Sequence, residues 1–347
     1  MTLLEALNLL RERLPIQNCS PFKKSLNEEF AVYCDLISKI EETEFVALLQ
    51  VANEGGDANE LTKRRFLNFI KLLQHTINQI IERYYNGYPS DAFKLLNNLL
   101  YYKKFAPLKE NTRPDYITRY VNDDYINYFE LKSQEIDNNY FRIRKCPQLW
   151  TDKSEYFHVP DKYRGLAKTA RFSIPGFPSL YLSNSLHVCW EELDKPKDNI
   201  YASRFILQKE ITLLNFAIPP TFGIDDIKAN PFDVFCFLIT YPLLSACLMK
   251  VRDPMATFKP EYIIPQLVLQ SIRKEEDRRG IIYSSTKCGI DKEYYNIVIP
   301  IKGELDNQGF CKKMKETFHL SCPIQLNHNN LYEDEEKLKK MPVQKLN

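Results

Sequence analysis

Up to about residue 108 the apolar positions recur at helical spacing. In "LNEEFAVYCDLISKIEETEFVALLQVA", Phe30, Cys34, Leu36, Ile37 and Ile40 share one side of a helix, and the glycines of "NEGGDANE" end the pattern. "TKRRFLNFIKLLQHTINQIIERYY" predicts a second long helix stopping near Gly87. "SDAFKLLNNLLYYKK" predicts a third, with Ser90 as its N-cap. "MTLLEALNLLRERLP" carries Glu5 where an export signal would want positive charge, and reads as a short amphipathic helix. Residues 1–108 therefore predict a helical bundle. Residues 109–139 mix "KENTRP" with Tyr-rich acidic sequence and read as a connector with room for one helix.

From Tyr140 the period shortens. "YFRIRK", "PSLYLS", "IYASRFIL" and "ITLLNFAI" are short runs of aromatic and β-branched residues, punctuated by "IPGFP" and "AIPPTFG". "PFDVFCFLITYPLLSACLMKV" and "PEYIIPQLVLQSIRKEED" then read as helices, and "GIIYSST" and "YYNIVIPI" return to strand. The fold class expected is α+β: a helical N-terminal domain over 1–108, the connector 109–139, a mixed α/β catalytic domain over 140–325, and a charged tail over 326–347, a solvated helix or disordered. "RKEEDRR", Arg273 to Arg279, reads as a solvated helix end.

Composition narrows the chemistry. The 347 residues carry 47 basic and 45 acidic side chains, net +2, so no broad field recruits nucleic acid or an anionic membrane. The longest uncharged run, Val234 to Met249, is short for a bilayer and contains Pro242, so it reads as core. Nine cysteines stand singly without a C-x-x-C pair, which fits free thiols in a cytoplasmic protein and gives no zinc spacing. G-x-S-x-G, P-loop, G-x-G-x-x-G and H-E-x-x-H motifs are missing. With ten glycines in the chain, phosphate would be held by arginine side chains rather than by a glycine loop.

Charges placed inside apolar sequence point to a site. Arg142 and Arg144 share one face of "YFRIRK" at period two. Arg171 opens "RFSIPGFPSLYLSNSLHVCWEEL", Tyr181 sits in "SLYLS", Glu191 and Glu192 follow "VCW", and Ser285 follows the strand "GIIY". Singly each is ordinary: a solvated strand arginine, a core tyrosine, an exposed start to the next element. His158 and His187 have no nucleophile or metal partner at ligand spacing and read as structural; Cys189 reads as core, and Trp190 as core or pocket wall.

Order and context together resemble the RES domain family, named for an arginine, a glutamate and a serine. The resemblance runs from "YFRIR" through "RFSIPGFPSLYLSNSLHVCWEE" and "EYIIPQLVLQSI", with Tyr262 and Gln266, to "GIIYSST". It places the family arginines on Arg142 and Arg171, the tyrosine on Tyr181, the glutamate on Glu192 with Glu191 as its rival, and the serine on Ser285. Phe172-Ser173 departs from the Trp-Asn pair of many short members, and small toxin members lack the helical N-terminal hundred residues.

The resemblance implies an ADP-ribosyltransferase-like fold and a toxin that consumes NAD as substrate, by hydrolysis or with inorganic phosphate as acceptor. It implies an antitoxin or other regulatory protein as partner and no metal, because nicotinamide departs neutral. Glu192 would face the ribose, Arg142 and Arg171 the pyrophosphate, Tyr181 the nicotinamide, and Ser285 would position the substrate. On that reading the N-terminal helices sense, restrain or form a homo-oligomer. Two alternatives stay open: ADP-ribosylation of a macromolecule, which the adjacent rather than E-x-E glutamates disfavour, and a non-catalytic nucleotide-binding regulatory module.

Overall fold

The computed structural model describes residues 1–52, 62–101, 125–132, 137–273, 278–288 and 294–346. It resolves into two compact units, each made of two chain segments: Met1–Phe129 with Ile218–Ser271, and Glu130–Ala217 with Ile272–Asn347. The expected boundaries at 108, 139 and 325 do not coincide with these. Most of the expected connector lies outside the described residues; its end forms a 3-10 turn at Tyr125–Phe129.

The first unit is helical. Helix Leu3–Arg13 starts at a capping box formed by Thr2 and Glu5. The expected continuous pattern after residue 26 breaks at Ile40, whose ψ of 144° is extended, giving helices Phe22–Lys39 and Glu42–Ala52. Helix Lys63–Tyr85 is capped by Thr62. Helix Pro89–Leu100 corrects the expected cap. Tyr88 takes that position and Pro89 the first helical one, where a missing N–H costs nothing; Ser90 lies within the first turn.

Helices Ile224–Ala229, Pro231–Cys247 and Ile263–Ile272 come from the second segment. Pro231–Cys247 is buried along most of its length, as its apolar run predicts. Its interior Pro242 has no amide hydrogen, so the Leu238 carbonyl four residues earlier loses its helical donor. The Tyr33 hydroxyl, from helix Phe22–Lys39, donates to that carbonyl at 2.7 Å. The Tyr33 ring stacks on Tyr241 at 4.9 Å, and the Tyr241 hydroxyl donates to buried Glu29 at 2.6 Å. Arg13 closes the group with three donor contacts of 2.6–3.0 Å on the same carboxylate. Residues 218–271 thus share one core with the N-terminal helices. That is why the expected division into an N-terminal bundle and a continuous catalytic domain gives way. No helix of the described residues is long and apolar enough to cross a membrane.

The second unit is built on one ten-stranded sheet. Its strands are β1 Glu130–Lys132, β2 Tyr140–Lys145, β3 Ser179–Ser183, β4 Ile200–Leu207, β5 Thr212–Phe216, β6 Arg278–Ser284, β7 Tyr295–Pro300, β8 Phe318–Ser321, β9 Ile324–Gln325 and β10 Val343–Lys345. The order is β1-β5-β6-β7-β3-β2-β4-β8-β10, with β9 beside β4. Among the described residues only β5 and β6 run parallel, which requires a long crossover; residues 218–271 supply the chain for it. Gly280 permits the close approach of β6 to β7: a Cβ there would lie 2.5 Å from the Val298 carbonyl oxygen.

Leu180, Leu182, Ile282, Ile297 and Ile299 belong to one core cluster, and Phe141, Ile143, Leu186, Cys189, Ala202 and Leu338 to a second. Leu338 corrects the reading of 326–347 as a solvated tail. Residues Leu331–Lys340 form a helix whose charged sides hide one apolar stripe, and β10 then pairs with β8. The Arg204 guanidinium, from β4, donates to the carbonyls of Leu338, Lys339 and Met341, satisfying groups the helix C-terminus leaves open. Residues 274–277 of the expected helix end lie outside the described residues; Arg273 stacks on the Phe177 ring at 3.8 Å.

Candidate active site

The loop before β3 turns through Ile174-Pro175-Gly176-Phe177. Proline presets the first central position, Gly176 supplies the positive φ of 70°, and the Phe177 amide donates to the Ile174 carbonyl at 2.9 Å. Just before this turn, Arg171 is 6% exposed and donates to the Thr286 hydroxyl at 3.2 Å, one residue after Ser285. The Tyr181 hydroxyl donates to the Phe172 carbonyl at 2.7 Å and so ties β3 to the Arg171 segment. The residues that depart from the family pair have local uses. Phe172 packs between Tyr283 and Phe216, at 4.7 and 5.6 Å between ring centres, and the Ser173 hydroxyl closes the turn on Ala170.

Helix Leu186–Glu192 follows β3. Ser185 caps it, and the Leu186 amide donates to Glu335 of the C-terminal helix at 2.8 Å. Successive helical residues point about 100° apart, so Glu191 and Glu192 part company. Glu191 pairs with Lys195 at 2.9 Å and lies 3.6 Å from His187. Glu192 Oε1 accepts two hydrogen bonds of 2.8 Å, from the Ser285 hydroxyl and from the Asn296 amide. Ser285, 3% exposed, itself accepts the Lys287 and Cys288 amides at 3.2 and 3.3 Å, which leaves its proton for Glu192. Lys287 Nζ donates to the Glu192 carbonyl and to Asp194, placing a cation at the helix C-terminus where the dipole favours one.

The structure therefore joins Glu192 with Ser285, sets Arg171 beside Ser285 through Thr286, and sets Tyr181 beside Arg171 through Phe172. It does not join Arg142 to any of them by a hydrogen bond. Phe141 pairs in register with Ser183 of β3, so Arg142, the next residue, projects from the opposite side of its strand. Arg142 donates to the Phe157 carbonyl at 2.8 Å, which Arg144 shares at 3.3 Å. Burial lowers the Arg142 pKa well below its usual value and Arg144 adds to this, while Cys189 and Tyr181 are near enough to pull the other way. No carboxylate pairs with Arg142 among the described residues.

Asn296 was not anticipated. Its signal was present in "YYNIVIPI", a lone amide inside an apolar strand, which at 3% exposure demands partners. His158 is buried with both ring nitrogens engaged, Nδ1 with the Val159 carbonyl and Nε2 accepting the Cys311 amide; burial lowers its pKa to about 4. Burial pushes the Cys189 thiol up to about 12, and it donates to the Phe141 carbonyl. Among the described residues no group of three or more His, Cys, Asp or Glu is arranged to hold a metal ion.

Comparison with known proteins bears on this arrangement. Residues 141–307 match the family described as RES domain.

Over those residues the chain is similar to the RES domain family.

It is also 33% identical over 285 residues to a Bacillus subtilis (strain 168) protein named "Putative toxin YopC". That match covers 77% of this chain and 60% of the relative's length. No solved structure matches. All six expected site residues fall inside the RES domain. The domain also takes in residues 218–271, so its sequence runs through both compact units, with Tyr262 and Gln266 in the helical one.

Proposed function

We infer that this protein is a toxin-like enzyme that cleaves the bond between nicotinamide and ribose in NAD. The observation carrying this reading is the Glu192 carboxylate, held on Oε1 by Ser285 and Asn296, with no donor on Oε2 among the described residues. As the glycosidic bond breaks, its electron pair moves to the nicotinamide nitrogen, which leaves neutral, and the ribose carbon gains oxocarbenium character. A carboxylate beside the ribose stabilises that charge and accepts a hydrogen bond from the 2′-hydroxyl. Attack by water yields ADP-ribose, nicotinamide and a proton; attack by inorganic phosphate yields a phosphorylated ADP-ribose and nicotinamide.

Arg171, buried beside the serine, supplies a cation for the pyrophosphate, whereas Arg142, on the other side of its strand and bonded to the Phe157 carbonyl, holds the sheet beneath the site. Tyr181, anchored through its hydroxyl, offers its ring to the nicotinamide. The match to the RES domain and the relative named as a putative toxin support a toxin-like role and, with it, a partner antitoxin that restrains the enzyme.

The test is nicotinamide release from NAD by the purified chain, with and without phosphate, beside Arg171→Ala and Glu192→Gln. Release by the wild type, falling about 10²–10³-fold in Glu192→Gln, is expected. Dependence on phosphate separates phosphorolysis from hydrolysis. A folded wild type that releases no nicotinamide overturns the reading.

A further inference from the structure

Asn296 sits in β7 directly opposite Ser183 of β3 in the antiparallel register, so both side chains lie on one face of the sheet. The two ends of its amide are used differently. Oδ1 accepts the Ser183 hydroxyl at 2.5 Å, and Nδ2 donates to Glu192 Oε1 at 2.8 Å. Ser183 is 4% exposed and Asn296 3%, so water does not substitute for either bond. An amide can turn end for end at little steric cost, and the turned form would present a carbonyl oxygen to a carboxylate. The acceptor-only Glu192 carboxylate selects the observed form, and the Ser183 hydroxyl then anchors the far end of the amide through Oδ1.

The geometry points to Ser183 and Asn296 as a positioning pair for Glu192. Ser183 anchors the far end of the amide; the amide and Ser285 hold Oε1 from two sides; Oε2 is thereby aimed at the substrate. The proposal rests on the reading of Glu192 as the carboxylate that meets the ribose of NAD. Both residues act through Glu192, and the order of dependence is fixed: Ser183 matters only while Asn296 is present.

That order is testable by steady-state nicotinamide release from Ser183→Ala, Ser183→Thr, Asn296→Ala and the Ser183→Ala/Asn296→Ala double variant, each checked for its melting transition. Displacing a reacting group by about 1 Å can cost on the order of 10²-fold. Asn296→Ala is therefore expected to lower kcat about 10²-fold with KM changed by no more than about threefold. Ser183→Ala should lower kcat roughly tenfold, the equivalent of one hydrogen bond. Ser183→Thr, which keeps the hydroxyl, should recover the wild-type rate within about threefold, and the double variant should match Asn296→Ala. Multiplying effects in the double variant, or no recovery by threonine, overturns the proposal. Should Asn296→Ala fail to fold, the alanine and threonine variants of Ser183 decide it.

Crystal structures of wild type and Ser183→Ala give a readout independent of turnover. A Glu192 carboxylate displaced from Ser285 is expected in the variant, and one left in place overturns the positioning role. A folded wild type inactive on NAD removes the substrate reading, while the crystallographic comparison still decides the pair.

Discussion

Tyr33 and Pro242 are far apart in sequence, yet one supplies what the other removes. The Leu238 carbonyl is fully buried, has no helical donor because residue 242 is proline, and accepts the Tyr33 hydroxyl at 2.7 Å. Tyr33→Phe preserves the ring that stacks on Tyr241 and deletes only the donor. An orphaned buried acceptor costs about 1–3 kcal/mol. For a unit of this size that lowers the melting temperature by roughly 2–4 °C per kcal/mol, about 2–12 °C in total. Pro242→Ala restores an amide hydrogen to the helix, so Tyr33→Phe should cost much less in that background. Differential scanning calorimetry of wild type, both single variants and the double variant closes the cycle. A coupling below about 0.5 kcal/mol would refute the reasoning, since independent sites add to within that margin. The outcome bears on function as well. If the coupling is found, the N-terminal helices are part of the core that RES-domain residues 218–271 complete, and not a detachable regulator.

Two further outcomes follow from the site and its surroundings. Glu191→Gln should keep nicotinamide release within about threefold of wild type, because Glu191 is engaged with Lys195 rather than Ser285; a loss as deep as that of Glu192→Gln would reverse the assignment. His158 is held neutral, with its pKa lowered from 6.5 to about 4. The unfolded chain therefore binds a proton that the folded chain refuses between those values, so its stabilisation is intact above about pH 6.5 and lost as pH falls toward 4. Urea unfolding from pH 6.5 to 5 should cost wild type roughly 1.5–2 kcal/mol more than it costs His158→Gln, and equal losses would contradict the burial argument.

Much of the fold was legible in advance because local patterns are short-range. The six strands expected from "YFRIRK" to "YYNIVIPI" form where alternation and β-branching placed them, and helix Pro231–Cys247 is buried as its unbroken apolar run required. β8 and β10 were not anticipated, because strands of four and three residues carry too little alternation to register against their charged surroundings. Leu338 is buried although its helix is mostly charged: one stripe suffices when another element covers it.

The residue types expected at the candidate site, Arg142, Arg171, Tyr181, a glutamate at 191 or 192 and Ser285, came from their order and from the resemblance to the RES domain family; the structure joins Glu192 with Ser285 but leaves Arg142 on the other side of its strand. Which of two adjacent glutamates meets the serine was not fixed by sequence order, because the choice depends on where β6 and β7 pass the end of helix Leu186–Glu192. Nor was Asn296, which reaches Glu192 only because β7 lies beside both β3 and β6. The same holds for Tyr33 and Leu238, 205 residues apart in the chain and 2.7 Å apart in space. Sequence determines what each segment is able to form and which charges it carries. Tertiary structure decides which partners are present when those charges leave water, because desolvation is answered only by groups that the fold brings within hydrogen-bond reach.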